Sequence, residues 1–222
     1  NRLEAAKNVI DEFVAGRTTD KIGLVVFASE SFTQCPLTID YPVLRNLLKD
    51  IQSGIIEDGT AIGTAIANGV NRLKDSKAKS KIIILLTDGV NNSGFIDPKI
   101  ASELAVEYGI KTYTIGLGTN GMALSPIARM PNGNFQYGRV QVEIDEDLLK
   151  EIADVTGGKY FRATNNKKLA EIYEEINKLE KTEVEEKKYY NYEEKYRPLV
   201  ILAGLLLLME LLLRFTVFRS FV

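Results

Sequence analysis

Histidine is absent from this sequence, and cysteine occurs only once, at Cys35. Without histidine the chain cannot build a Ser-His or Cys-His catalytic pair, or the usual histidine-containing zinc site. A single cysteine excludes an internal disulfide and gives no information about the redox compartment. The catalytic classes that depend on these side chains are therefore excluded for this chain.

An excess of charge of either sign is also missing, because 28 basic residues are balanced by 30 acidic ones and the net charge is −2. This balance implies no general attraction to nucleic acid. Apolar residues make up 45% of the chain and charged residues 26%, which is the ordinary composition of a globular protein. The 222 residues are enough for one α/β domain with a sizeable core and an appendage.

The strongest pattern is the apolar run at 82–86, which leads into Asp88 and Gly89. It predicts a strand that is buried on both faces, as in a parallel sheet covered by helices. Further strands are predicted at 21–28, 31–37, 110–115 and 159–162, and helices at 2–15, 41–51, 61–73, 97–108, 145–155 and 169–179. The composition of residues 116–143 predicts a long loop with a hairpin. The alternation of strands with helices predicts an α/β fold with a doubly wound, Rossmann-like, mostly parallel sheet flanked by helices.

The end of the chain carries its longest hydrophobic run. Residues 198–218 are apolar except for Glu210 and Arg214, and about 20 apolar residues cross a bilayer as a helix. A buried core helix is the alternative, but a helix that is apolar all round at this point has nothing left to pack against. We therefore expect an α/β domain at 1–181, a charged, tyrosine-rich juxtamembrane linker at 182–197 and a transmembrane helix at 198–218.

Two short segments carry groups that suit a metal ion. Asp88 ends a buried strand at the sheet edge where open α/β folds place their ligands, and Thr60 lies in the upstream segment 58–63. A hydroxyl and a carboxylate at one edge suit Mg²⁺ or Mn²⁺, hard cations that prefer oxygen ligands. Two oxygens do not hold the ion alone, and the chain offers no convincing third or fourth ligand. A solvated turn aspartate and a threonine that caps the following helix are the plainer interpretations.

Two patterns resemble nucleotide sites without meeting their requirements. Residues 116–121 match G-x-G-x-x-G, but Pro126 and Pro131 interrupt the helix that such a site needs. The strand that ends in Asp88 also suits a magnesium-dependent nucleotide hydrolase, which requires a G-x-x-x-x-G-K-[ST] loop. That loop is not in this chain, so a hydrolase would need it upstream of Asn1.

Residues 84–89, Ile-Leu-Leu-Thr-Asp-Gly, together with residues 58–63, Asp-Gly-Thr-Ala-Ile-Gly, resemble the von Willebrand factor A (VWA) domain. More narrowly, the chain resembles the membrane-anchored, aerotolerance-type Bat proteins of bacteria (BatA/BatB-like). The supporting stretches are 1–7, 32–38, 142–149, 156–161 and the leucine-rich end of the chain. The resemblance covers essentially the whole chain and implies that the amino-terminal part of the domain, with its first central strand, is missing.

The resemblance implies a metal-ion-dependent adhesion site (MIDAS). In this family a D-x-S-x-S motif at the end of the first strand supplies an Asp and two Ser, and Thr60 and Asp88 match the Thr and the later Asp that complete the site. The D-x-S-x-S segment is absent here, and its strand would lie between the predicted strands at 22–27 and 82–86. Those two strands would each lose a hydrogen-bonding partner, and binding of Mg²⁺ or Mn²⁺ would require the upstream ligands.

The function that the resemblance implies is a membrane-tethered protein-interaction module, not an enzyme. It would bind an acidic side chain of another protein through the cation, with sibling VWA proteins and a MoxR-type ATPase as partners, and it would bind no nucleic acid. Its implied location is the bacterial inner membrane, with the domain on the extracytoplasmic side. The alternatives are a scaffold with a degenerate metal site and a magnesium-dependent nucleotide hydrolase with its phosphate-binding loop upstream.

Overall fold

The structure is a computed structural model that describes residues 2–54, 56–118, 121–129, 135–142, 144–186 and 196–216. The chain divides into two compact units, Asn1–Thr182 and Glu183–Val222. The first unit carries the α/β fold. The predicted limits of the linker and of the membrane span remain predictions, because residues 187–195 and 217–222 lie outside the described residues.

The strands and helices follow the predicted alternation. The strands are β1 (Ile22–Phe27), β2 (Ser31–Thr38), β3 (Ile82–Thr87), β4 (Lys111–Leu117), β5 (Gly121–Arg129), β6 (Phe135–Val142) and β7 (Tyr160–Ala163). The helices are α1 (Arg2–Ala15), α2 (Tyr41–Lys49), α3 (Ile62–Leu73), α4 (Pro98–Glu107), α5 (Glu146–Thr156), α6 (Asn166–Glu186) and α7 (Tyr196–Thr216). Helix α6 is longer than the predicted 169–179, because its charged continuation lacks the apolar spacing on which the prediction relied.

Aspartate side chains begin three of the helices. Asp40 precedes α2, Asp97 precedes α4 and Asp145 precedes α5, and each accepts a hydrogen bond from a backbone N–H of the first turn. This is the usual role of an N-cap residue. Pro98 follows Asp97 in the first turn of α4, where proline is well tolerated. Local chemistry thus explains where these helices begin.

The parallel strands form a three-stranded sheet in the order β3-β4-β7. Strands β1 and β2 form a separate antiparallel pair in which Phe27 lies opposite Ser31. Strands β5 and β6 form an antiparallel pair within the predicted loop and hairpin. The α/β fold with a parallel sheet and flanking helices is therefore confirmed. Among the described residues, β1 is not hydrogen-bonded to β3.

Strand β3 is less buried than its sequence predicts. Only Leu85 and Thr87 are buried in β3, whereas residues 112–116 of β4 are all buried. Strand β4 has a strand neighbour on each side, but among the described residues β3 is paired with β4 alone. The side chains of β3 nevertheless pack on both faces, with Leu85 in one hydrophobic cluster and Ile84 and Leu86 against another. The prediction of a strand covered on both faces is therefore confirmed, and the edge position of β3 explains why most of these side chains are only partly buried.

Hydrophobic clusters lie on both faces of the parallel sheet, because alternate residues of a strand point to opposite faces. Helices α3, α4 and α5 contribute most of one cluster, and Leu85 of β3 also belongs to it. The helix residues buried there include Ile62, Ile66, Val70, Ala101, Ala105, Leu149 and Ile152. Helices α1 and α6 form the other around Val9, Tyr113, Ile115, Phe161, Leu169, Ile172 and Ile176. The first unit therefore has a layer of helices on each side of its sheet.

The second unit contains helix α7, whose described side chains, from Val200 to Leu213, are exposed. Within the part of the chain that the structure describes, no helix combines the length and the apolar character that a bilayer crossing requires. The transmembrane helix predicted at 198–218 therefore has no support from the structure.

Candidate metal centre

The candidate site forms where three elements meet at one end of the sheet. The N–H of Ala61, just before α3, donates to the carbonyl of Ala28, just after β1, at 2.7 Å. The N–H of Ser29 donates to the carbonyl of Glu57 at 3.3 Å. Two backbone hydrogen bonds thus fasten the loop that carries Thr60 to the carboxyl end of β1.

The structure places Thr60 and Asp88 at the same end of the fold. Asp88 directly follows β3 and is exposed. The Thr60 hydroxyl lies against Gly89, since a β-carbon added to Gly89 would be 2.9 Å from Thr60 Oγ1. The two residues selected from the sequence are therefore brought together by the fold, and a larger residue at position 89 would fill the space beside the hydroxyl.

The plainer interpretation of Thr60, as the cap of the following helix, is wrong. The N-cap of α3 is Ala61, which makes no side-chain capping hydrogen bond. The cap comes instead from the loop after β3: Asn91 Oδ1 accepts a hydrogen bond from Ile62 N at 2.8 Å. Because another side chain serves the helix terminus, the Thr60 hydroxyl is not needed there.

The same loop also holds the backbone of Thr60. Asn92 Oδ1 accepts a hydrogen bond from Thr60 N at 2.8 Å, and Asn92 N donates to Thr60 O at 3.1 Å. The N–H of Ser93 donates to the same carbonyl at 3.4 Å. Sequence reasoning missed Asn91 and Asn92, although two asparagines just after a strand and an Asp-Gly turn are residues suited to capping.

Gly94 allows this loop to lie close to α3. Its φ angle is 91°, in the region that favours glycine. A β-carbon at this position would lie 2.6 Å from Thr64 Oγ1 and 2.8 Å from the β-carbon of Ala61. Any larger residue would push the loop, and with it Asn92, away from Thr60.

The donor set fits a hard divalent cation with additional ligands. Thr60 and Asp88 offer a hydroxyl and a carboxylate, whereas Mg²⁺ takes about six oxygens and keeps several waters. No cluster of three or more His, Cys, Asp or Glu side chains able to hold a metal occurs among the described residues. The site is therefore not a cage of carboxylates. The structure shows the Thr60 hydroxyl beside Gly89, the residue that follows Asp88.

Residues 1–175 match the model of the von Willebrand factor type A domain, so the chain belongs to this family. Domains of this family commonly mediate protein–protein interactions through a MIDAS metal site, and they are generally not enzymes. The fold and the position of the candidate site agree with that membership.

Relatives and solved structures point to the Bat proteins within this family. An uncharacterised protein of Borreliella burgdorferi is 32% identical over 94% of this chain and 61% of its own length. An aerotolerance-related membrane protein from Bacteroides fragilis is 32% identical with a TM-score of 0.65, over 80% of this chain and 87% of that one. The hypothetical protein BatB from Bacteroides thetaiotaomicron is 34% identical with a TM-score of 0.66, over 81% and 89%. The resemblance to Bat proteins is confirmed, and the chain spans about three fifths of the Borreliella relative.

Proposed function

We propose that this protein is a protein-interaction module in which Thr60 and Asp88 help to bind Mg²⁺ or Mn²⁺, and a carboxylate of a partner protein completes the coordination. The observation that carries this proposal is the position of the Thr60 hydroxyl, which lies against Gly89 and is not used to cap α3. Family membership supports it, because VWA domains often bind a divalent metal at the MIDAS.

The two residues contribute differently to such a site. Asp88 supplies a negatively charged oxygen and Thr60 a neutral one. The remaining positions suit the oxygens of the family's D-x-S-x-S segment, water and the partner. With few carboxylates among the ligands, the ion keeps a coordination position at which it can accept a carboxylate oxygen of an acidic side chain. The interaction needs neither a nucleophile nor a general base.

The relatives extend the proposal to location and partners. The structural neighbour from Bacteroides fragilis is described as a membrane protein, and residues 198–218 of this chain are apolar except for two charged side chains. We place the protein at the bacterial inner membrane, tethered through residues 198–218, with the domain on the extracytoplasmic side. Sibling VWA proteins and a MoxR-type ATPase are the partners that this assignment suggests.

A cation titration of the full-length protein tests the metal site. Thermal unfolding is recorded with increasing Mg²⁺ or Mn²⁺ for the wild type, Asp88→Ala and Thr60→Val. A ligand that binds only the folded state stabilises it by about 2.7 kcal/mol at about 100 times its Kd. The wild type should show this gain, and both variants should lose most of it.

Asp75→Ala is the matched control, because Asp75 is an exposed aspartate near the other end of α3. This variant should respond to both cations as the wild type does. A wild-type protein whose unfolding temperature does not change with either cation would favour the scaffold with a degenerate site.

A further inference from the structure

An aromatic side chain stands fully exposed beside the candidate metal centre. Phe95 lies in the loop between β3 and α4 and is 100% exposed. Two more apolar side chains of the same segment are partly open, Ile96 at 37% and Ile100 at 62%. Large aromatic side chains are normally buried to a large extent in a folded protein. Full exposure of an aromatic ring is therefore the feature of this segment that calls for a partner.

The loop that presents Phe95 is held in place on both sides. Before it, Asn92 and Ser93 donate backbone hydrogen bonds to Thr60 O. After it, Asp97 caps α4 and Pro98 is buried. The carbonyl of Ile96 also packs against Gly63 so closely that a β-carbon there would collide with it. A side chain on an anchored loop loses little conformational freedom when a partner binds, which favours its use as a binding anchor.

We propose that Phe95 is the apolar anchor of the partner-binding surface next to the metal centre. This inference rests on the proposed function. The partner is a protein segment that places a carboxylate on the cation and a large apolar side chain against Phe95. Aromatic residues are enriched among the residues that carry most of the binding energy in protein interfaces.

The charges around the site favour a protein segment over a lipid surface. Glu57, Asp58, Asp88 and Asp97 are exposed acidic residues in the loops that surround Thr60 and Phe95. This acidic rim repels anionic lipid headgroups, and it also repels a partner carboxylate unless a cation is present. Binding through both contacts should therefore depend on the cation as well as on Phe95.

A displayed peptide library tests the proposal with full-length protein loaded with Mg²⁺. Each peptide carries one fixed glutamate flanked by random positions, and binding of selected peptides is measured by fluorescence anisotropy. The selected peptides should share a large apolar residue at a constant spacing from the glutamate. Phe95→Ser should weaken their binding by about tenfold or more, and chelation of the cation should abolish it.

Ile39→Ser is the matched control, because Ile39 is 62% exposed and follows β2 at the end of the β1–β2 pair that lies away from Ala28. It should leave binding unchanged. Peptides that need the cation but bind Phe95→Ser as tightly as the wild type would overturn the anchor and leave the proposed function standing. Peptides that need Phe95 but not the cation would support the anchor and overturn the proposed function. Failure to select any peptide would count against both.

A fluorescent reporter separates the protein partner from a lipid surface. The chain has no tryptophan, so Phe95→Trp introduces a probe at the proposed contact. Its emission should shift to shorter wavelength when a selected peptide is added, because the ring leaves water. A shift with vesicles of phosphatidylcholine and phosphatidylglycerol, and none with the peptide, would overturn the proposal in favour of a membrane contact.

Discussion

At the scale of single residues, the candidate centre depends on two neighbouring amide side chains as well as on its two oxygen ligands. Asn92 holds the backbone of Thr60 through both its side chain and its own N–H, at 2.8 and 3.1 Å. Asn91 instead accepts from Ile62 N and serves the start of α3. Of the two asparagines, Asn92 contacts the residue that carries the hydroxyl and Asn91 contacts the helix terminus, so their effects should be separable.

We expect Asn92→Ala to weaken cation binding and Asn91→Ala mainly to reduce stability. Residues that orient metal ligands typically change metal affinity by about 10- to 100-fold when they are replaced, whereas loss of a helix cap costs about 1 kcal/mol. Isothermal titration with Mn²⁺ gives the affinity, and urea unfolding without metal gives the stability. Equal affinity losses in the two variants would show that Asn92 has no special role in holding Thr60.

Thr60 and Asp88 could be selected from the sequence because a threonine after Asp-Gly and an aspartate after an apolar strand are local patterns. The burial of Lys7, by contrast, could not be predicted from local patterns. The residue is 8% exposed, and its ammonium group donates to the carbonyls of Lys49 and Ile51 near the end of α2, each at 2.9 Å. Lysine is almost never buried unless it is paired, and these partners lie more than forty residues away in the sequence. Periodicity within α1 contains no signal for them.

At the scale of elements, most helices and strands and the hairpin within 116–143 were predictable, but the bounds and register of the hairpin strands were not. Residues 116–143 are rich in Gly, Pro and Asn, yet they include the paired strands β5 and β6. Pro126 lies within β5, next to a shift in register between Pro126 and Ala128. Proline is tolerated in strands at such irregularities. A segment rich in Gly, Pro and Asn can therefore form an irregular hairpin as well as a loop. The register of its two strands depends on cross-strand partners that the local sequence does not specify.

Helices α1 and α2 are joined by a bidentate ion pair. Arg45 donates from Nε to Asp11 Oδ1 and from a terminal nitrogen to Asp11 Oδ2, both at 2.7 Å. The hydrogen bond from Arg45 lowers the pKa of the Asp11 carboxyl below its usual value, against the opposing effect of burial. Since the folded state has the lower pKa, the ion pair stabilises the fold while Asp11 is ionised. This contribution is lost as the pH falls through the pKa of the folded state.

We therefore expect Asp11→Asn to reduce the free energy of unfolding near neutral pH and to matter less in acid. The difference from the wild type should be constant above about pH 5 and should shrink below about pH 4, where the unfolded-state carboxyl also takes up its proton. Urea unfolding across this pH range provides the measurement. Asp75→Asn, at an exposed aspartate with no ion pair among the described residues, should show no such change. A difference for Asp11→Asn that persists unchanged at about pH 3 would contradict the role of ionisation.

At the scale of the whole α/β unit, the candidate centre lies between two groups of strands that are not hydrogen-bonded to each other in the described chain. Ala28, which follows β1, is hydrogen-bonded to the loop that carries Thr60, and Asp88 directly follows β3 of the β3-β4-β7 sheet. Helix α3 packs against both β1 and β3. A cation held by Thr60 and Asp88 would therefore be coordinated by residues next to α3 and β3 at the same time.

This arrangement predicts that cation binding slows hydrogen exchange in both groups of strands, and not only in the binding loop. With saturating Mg²⁺, backbone amides of β1 and β3 should gain protection together, because opening either strand would break the shared coordination. Mass spectrometry of exchange provides the measurement, with Asp88→Ala as the variant that should lose the effect and α6 as an internal reference away from the site. Protection confined to residues 88–97 would mean that the ion orders its own loop without joining the sheets. Equal changes in β1 and β3 would instead show that the stability of both groups of strands depends on the same ion.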